Sequence, residues 1–122
     1  MRILIVDDDL TWITPLSRLL RNEHTLLASN KGSDALEMFK SGRFDLVVTD
    51  VVMPKMSGLD VLKAIRGMDA SVPVIVVSGY QHEWFERSAL ELGAYAFFSK
   101  PIDVGLFFDT LELIASKLSR VS

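Results

Sequence analysis

Five short apolar runs are spaced along the chain: Ile3–Val6, Leu26–Ala28, Leu46–Val48, Val74–Val77 and Tyr95–Phe98. Three of them are unbroken stretches of Val, Ile and Leu without polar alternation. A strand that is apolar at every position is covered on both faces, which points to a parallel sheet. Between the runs, apolar residues recur at helical spacing. Trp12, Leu16, Leu19 and Leu20 form one stripe, and Ala35, Met38 and Phe39 another. Leu59, Leu62, Ile65 and Arg66 follow Ser57-Gly58, with Ser57 placed to cap the helix. Phe85, Ala89 and Leu92 lead into Gly93, a natural helix stop. Phe107, Leu111, Ile114 and Leu118 complete a last stripe. Strand followed by helix, five times over with short connections, predicts one doubly wound α/β domain. Pro15 is a local conflict. With Thr11 as the cap it would be the fourth helical residue and remove a backbone bond, so the first turn is expected late or distorted.

Composition narrows the picture. At 122 residues the chain is one domain's worth, expected to span 1–122, and it can bury enough surface to fold without a staple. Apolar residues at 49% and charged residues at 24% exclude a disordered chain. The absence of cysteine excludes disulfides, thiolate metal sites and cysteine catalysis, and fits a reducing compartment. Thirteen basic residues against sixteen acidic ones give a net charge of −3, which argues against direct nucleic-acid binding. The first apolar run stops at three aspartates, and the run Val72–Val77 contains Pro73 and is too short to span a bilayer. The expectation is a soluble, cytoplasmic domain with no membrane contact.

In an open parallel sheet, ligands sit outside the carboxyl ends of the strands. Asp7, Asp8 and Asp9 follow the first strand, Asp50 the third, Ser78-Gly79 the fourth and Lys100-Pro101 the fifth. If strands one and three are neighbours, Asp7, Asp8 and Asp50 share a pocket, and such crowding would raise their pKa values or demand a cation. Hard carboxylate oxygens with room for water suit Mg²⁺. Asp9 reads more simply as a helix cap, and Lys100 taken alone would be a surface lysine. Taken together, the groups describe phosphoryl transfer to a carboxylate. Asp50 serves as nucleophile, and Mg²⁺, Lys100 and Ser78 each take one oxygen of the transferring group.

At this point the chain resembles the response-regulator receiver family over essentially its whole length. The matching pieces are Ile3-Leu4-Ile5-Val6-Asp7-Asp8, Asp50-Val51-Val52-Met53-Pro54 with Gly58, Ser78-Gly79, Gly93-Ala94 and Lys100-Pro101. The resemblance implies a flavodoxin-like fold with sheet order 2-1-3-4-5. It implies Asp50 as phosphoacceptor, Asp8 and Asp50 as Mg²⁺ ligands, Asp7 acting through metal-bound water, and the Val52 carbonyl as the remaining protein ligand. Ser78 and Phe97 would be the switch pair, and the Lys100–Pro101 bond cis. The implied partners are a sensor histidine kinase or phosphotransfer protein that donates from phosphohistidine, and an output domain or effector. The output would be read through a face of helix four, strand five and helix five, and phosphorylation could also drive homodimerisation. In this family the side chains two residues after Asp50 and two after Ser78 flank the water that hydrolyses the acyl phosphate. Here these are Val52, which cannot orient a water, and Tyr80, which is large enough to cover it, so a long-lived phosphorylated form is expected.

Two positions depart from the family pattern. Gly79 stands where alanine is usual, and Phe97 replaces the usual tyrosine and has no hydroxyl to donate. Rival readings are a receiver-like interaction module that never uses its phosphate site, and a haloacid-dehalogenase-type phosphatase with Asp7 as nucleophile. The second rests on Asp7, Asp9 and Thr11 as D-x-D-x-T, but it needs a further acidic pair, and only Asp103, Asp109 and Glu112 follow the lysine. His24 and His82 lack any supporting constellation and read as surface or strand-end residues. Trp84 is expected near the surface. Leu106, Phe108 and Leu113 fall off the last core stripe. The chain ends just after its last predicted helix, as a stand-alone receiver or one cut from a longer regulator would.

Overall fold

A computed structural model describes residues 1–79 and 83–121, the last three of these through their backbone only. Strands β1 (Arg2–Val6), β2 (Thr25–Ser29), β3 (Leu46–Asp50), β4 (Val74–Ser78) and β5 (Ala96–Ser99) form one parallel sheet in the order β2-β1-β3-β4-β5. They alternate with helices α1 (Thr14–Arg21), α2 (Gly32–Ser41), α3 (Gly58–Met68), α4 (Glu83–Glu91) and α5 (Val104–Val121). This is the doubly wound arrangement expected from the pattern, with the flavodoxin-like strand order that the family resemblance implied. Among the described residues no helix is long and apolar enough to cross a membrane.

The two-residue period of the strands divides the core. Ile3 and Ile5, Leu46 and Val48, and Ile75 and Val77 face one layer with Leu16 and Leu20 of α1 and Phe107, Leu111 and Ile114 of α5. The alternate residues, Leu4 and Val6, Val47, and Val74 and Val76, face the other layer with Ala35 of α2, Val61, Leu62 and Ile65 of α3, and Ala89 of α4. β3 and β4 are buried along their whole length, so each of their side chains is apolar or paired.

Pro15 has the effect expected of it, by a different route. Asp9, not Thr11, caps a short 3₁₀ turn over Leu10–Trp12, its carboxylate accepting from the Thr11 N–H. The α-helix then starts at Thr14, which leaves Pro15 in the first turn where no backbone donor is needed. Trp12 is therefore not part of the α1 stripe. Two residues assigned to core stripes are exposed instead: Leu19 at 57% and Leu118 at 37%. The late start leaves Leu16 and Leu20 as the buried positions of α1, while α5 runs past the sheet edge after Ile114. Tyr95 lies just before β5 rather than in it. Trp84, Leu106 and Leu113 are exposed, and Phe108 is half-buried beside the core.

One glycine decides whether the loop after β3 can close. A Cβ on Gly58 would lie 1.8 Å from the Asp50 carbonyl oxygen, while the Gly58 N–H donates to the Val51 carbonyl at 2.8 Å. The N-terminus of α3 thus rests directly on the backbone of Asp50. Ser57 and Asp60 complete that end as a capping box. Backbone cannot swing away as a flexible side chain can. Gly58→Ala is therefore expected to cost about 3 kcal/mol or more of folding stability, by analogy with overpacking, read from urea unfolding. Lengthening the exposed Gly67, whose Cβ would meet nothing within 4 Å, should instead stabilise slightly, as alanine does within a helix.

Candidate functional site at the carboxyl end of the sheet

Strand parity carries on beyond the ends of the strands. Asp7 continues the row of Ile3 and Ile5, Asp50 ends the row of Leu46 and Val48, and Lys100 continues that of Phe98. These groups close the α1–α5 layer at its upper rim. Ser78 and Phe97 have the opposite parity and belong to the α2–α3–α4 layer, where Phe97 is half-buried against that core. The site therefore draws on residues of both layers where they meet at the end of the sheet.

Asp7 is fully buried and Asp50 is 7% exposed, whereas Asp8 is exposed. One carboxylate oxygen from each of the three comes together within 4.8 Å. Lys100 Nζ lies 3.0 Å from Asp7 Oδ2 and 3.5 Å from Asp50 Oδ1. Asp7 also accepts from the Asp9 N–H at 2.9 Å and from the Trp12 indole N–H. One cation faces two buried acids and a third at their rim. Burial, and then the neighbouring Asp7 charge, push the Asp50 carboxyl from 3.8 up to about 6; Lys100 opposes this only in part. The donor set, three hard oxygens with a charge deficit, fits a divalent cation. Asp8, Asp50 and Asp7 would hold it.

Other expected residues divide clearly. Ser78 ends β4 at 1% exposure, and its carbonyl accepts from the Lys100 N–H at 2.8 Å. The Lys100–Pro101 peptide is cis. Gly79 is exposed and has no positive φ, and a Cβ there would meet only Lys100 Cδ, at 3.9 Å. Alanine would fit, so neither conformation nor space requires the glycine. Val52 is 44% exposed beside Asp50. Tyr80 and His82 lie outside the described residues. His24 sits at the start of β2 beside the chain's amino group, far along the sheet from the acids. Asp9 turns its carboxylate to Thr11, with bonds of 3.0 Å to the N–H and 2.7 Å to the hydroxyl, and takes no part in the acid cluster. Trp12 is the site residue that sequence reasoning missed. Its helical spacing to Leu16 disguised a side chain that reaches Asp7 instead.

The profile described as "Response regulator receiver domain" matches residues 3–112. The chain belongs to the response regulator receiver family. Receivers are the signalling switches of two-component systems. Over 116 residues the chain is 37% identical to the transcriptional regulatory protein ZraR of Klebsiella oxytoca, covering 94% of this chain and 25% of that protein. It thus spans about a quarter of the length of such relatives. The N-terminal domain of an uncharacterized Wolinella succinogenes protein superposes with a TM-score of 0.87 at 33% identity, covering 98% of each chain. A response regulator receiver domain protein from Clostridium thermocellum superposes at 0.88 with 24% identity, covering 99% of this chain and 98% of that one, and so supports the fold.

The raised Asp50 carboxyl makes a prediction for the receiver without divalent cations. A folded-state value above the unfolded one means that the native chain holds the proton more tightly. Stability is therefore lost as pH rises from about 4 through about 6. Asp50→Asn removes this loss. In chelator at pH 7 the variant should be more stable than the parent, by about 1–3 kcal/mol, and the gap should shrink to about a third of that near pH 4.5. Denaturant unfolding at the two pH values checks it; a gap that is the same at both would show that Asp50 is not destabilised by ionisation.

Proposed function

We propose that Asp50 is the phosphoacceptor of this receiver and takes its phosphoryl group from the phosphohistidine of a sensor kinase or phosphotransfer protein. The observation that carries the reading is the Asp50 carboxylate, buried among two further acids with an ammonium 3.5 Å away. An Asp50 oxygen attacks phosphorus in line, the phosphorus–nitrogen bond breaks, and the histidine nitrogen leaves with the bond pair and is protonated. The product is an acyl phosphate. Asp8, Asp50 and the Val52 carbonyl, with Asp7 acting through water, would hold Mg²⁺, which would supply neutralisation of charge on the phosphoryl group. Lys100 moves its ammonium to another oxygen, and the Ser78 hydroxyl turns to a third. The chain thus catalyses its own modification weakly, as a switch and not as a metabolic enzyme.

The state of Asp50 is relayed across the sheet to Ser78 and Phe97, which lie on the α4 side. Beyond them, Trp84, Leu90, Val104, Leu106 and Leu113 form exposed apolar positions along α4 and α5. This α4–β5–α5 face is where an output domain or effector, or a second receiver, would read the switch. The relatives named as transcriptional regulators support an output of that kind. A cytoplasmic setting, in which the kinase meets the chain, follows from the same reading, and the receiver would span residues 1–122.

With Mg²⁺ and a small acyl-phosphate donor, the chain should gain one phosphoryl group by mass spectrometry, and Asp50→Asn should abolish it. Label on Asp7 instead would favour a haloacid-dehalogenase-type reaction, and no label at all would favour an interaction module that never uses the site. Asp8→Ala should weaken Mg²⁺ binding and phosphorylation together, whereas Lys100→Ala should spare Mg²⁺ binding and blunt the response to phosphate; calorimetry and labelling separate the two.

The phosphorylated form should also be long-lived, because Val52 cannot orient an attacking water and, as the family resemblance implies, position 80 flanks its approach with a residue as large as tyrosine. Val52→Asn with Tyr80→Ala should speed phosphate loss by about tenfold, or roughly 1.4 kcal/mol of barrier, measured as phosphate release from purified phosphoprotein.

A further inference from the structure

Trp12 touches three parts of the site at once. Its indole N–H donates to Asp7 Oδ2, the same oxygen that Lys100 Nζ approaches at 3.0 Å. The Lys100 ammonium also stands over the indole ring, 5.5 Å from its centroid. The ring edge meets Phe107 of α5 in a T-shaped contact, with centroids 6.4 Å apart. The residue is delivered by the 3₁₀ turn Leu10–Trp12, which Asp9 caps and which the Thr14 hydroxyl ties to the Leu10 carbonyl at 2.9 Å.

Asp7 is 0% exposed, so no bulk water replaces a lost partner. A carboxylate offers about four acceptor sites. Three are taken, by the Asp9 N–H, Trp12 and Lys100. When a phosphoryl group on Asp50 draws the ammonium away, Asp7 loses its charged donor. Among the described residues, only Trp12 then remains on that oxygen.

We propose that Trp12 is a positioning residue that keeps buried Asp7 paired while Lys100 leaves it for the phosphoryl group on Asp50. The π face offers the ammonium a second favourable contact along the way, and cation–π attraction does not require a fixed hydrogen-bond direction. The packing on Phe107 holds the ring still while the lysine moves. The inference rests on Asp50 as the acceptor.

The test uses the full chain with Mg²⁺ alone and with Mg²⁺ plus beryllofluoride, a tetrahedral phosphoryl analogue. Trp12→Phe keeps an aromatic ring, though a smaller one, and removes the N–H. It should bind Mg²⁺ as tightly as the parent or more so, because a competing donor on Asp7 is gone, and should bind the analogue about tenfold more weakly by calorimetry. In a Lys100→Ala background the same substitution should leave analogue affinity unchanged, because no ammonium departs. Unchanged analogue affinity in the parent background, or an equal loss in both, overturns the proposal.

A second measurement leaves Trp12 in place. In Trp84→Phe, Trp12 is the remaining tryptophan, and its emission should shift on analogue binding as the ammonium leaves its ring. The shift should vanish with Lys100→Ala, and a shift that persists there counts against the proposal. Analogue binding that survives Asp50→Asn would remove the acceptor reading itself, whatever Trp12 does.

Discussion

The upper rim of this sheet is governed by a charge deficit. Asp7 and Asp50 are both buried on the same side of the sheet, and Lys100 is shared between them at 3.0 and 3.5 Å. A single ammonium cannot neutralise two carboxylates, and burial raises the cost of whatever charge is left over. A divalent cation and a phosphoryl group would each change the balance, one adding positive charge and the other claiming the lysine. The pocket is thus a strained electrostatic arrangement that a bound cation or phosphoryl group would relieve. That is the physical sense in which a receiver can act as a switch.

The rest of the fold serves to hold that deficit in place. β1 and β3 are central, hydrogen-bonded neighbours, which forces Asp7 and Asp50 together. The burial of β3 along its entire length keeps Asp50 largely out of solvent. Gly58 lets α3 rest on the Asp50 backbone, where any side chain would collide. The energy that maintains the repulsion comes from the two apolar layers, in which residues such as Leu4, Val47, Leu62 and Ile75 are wholly buried.

The two departures from the family pattern carry different weight. Gly79 stands in open space that alanine could occupy, so it adds backbone freedom beside the site without being needed for closure. Phe97 is half-buried against the α2–α3–α4 core and can signal only by packing. Under the proposed reading, conformational information crossing from Asp50 to α4 would travel through the end of β4 and the fit of one ring.

Fold class and the acids at the strand ends were legible in the sequence because their causes are local or repetitive, whereas the sheet order, and with it the meeting of Asp7, Asp8 and Asp50, came from the family resemblance. Unbroken apolar runs report strands covered on both sides, and the residues that follow such strands in a parallel sheet converge at one rim. Ser57 as a cap and Pro15 as a cause of late helix onset were legible for the same reason, since capping and proline sterics act within one turn. Other features depended on long-range placement. The pairing of Lys100 with Asp7 joins residues 93 positions apart. Gly58 is obligatory because of a backbone atom eight residues earlier that only the closed loop brings near. Trp12 kept helical spacing to Leu16 yet belongs to a 3₁₀ turn, and its indole is recruited by a buried carboxylate. Leu19 and Leu118 carry the periodicity of core residues but face solvent, because where a helix begins, and where the sheet beneath it ends, is decided by packing. Periodicity specifies which faces of an element are apolar; the tertiary structure alone decides how far the opposing surface extends and which polar group each buried charge meets.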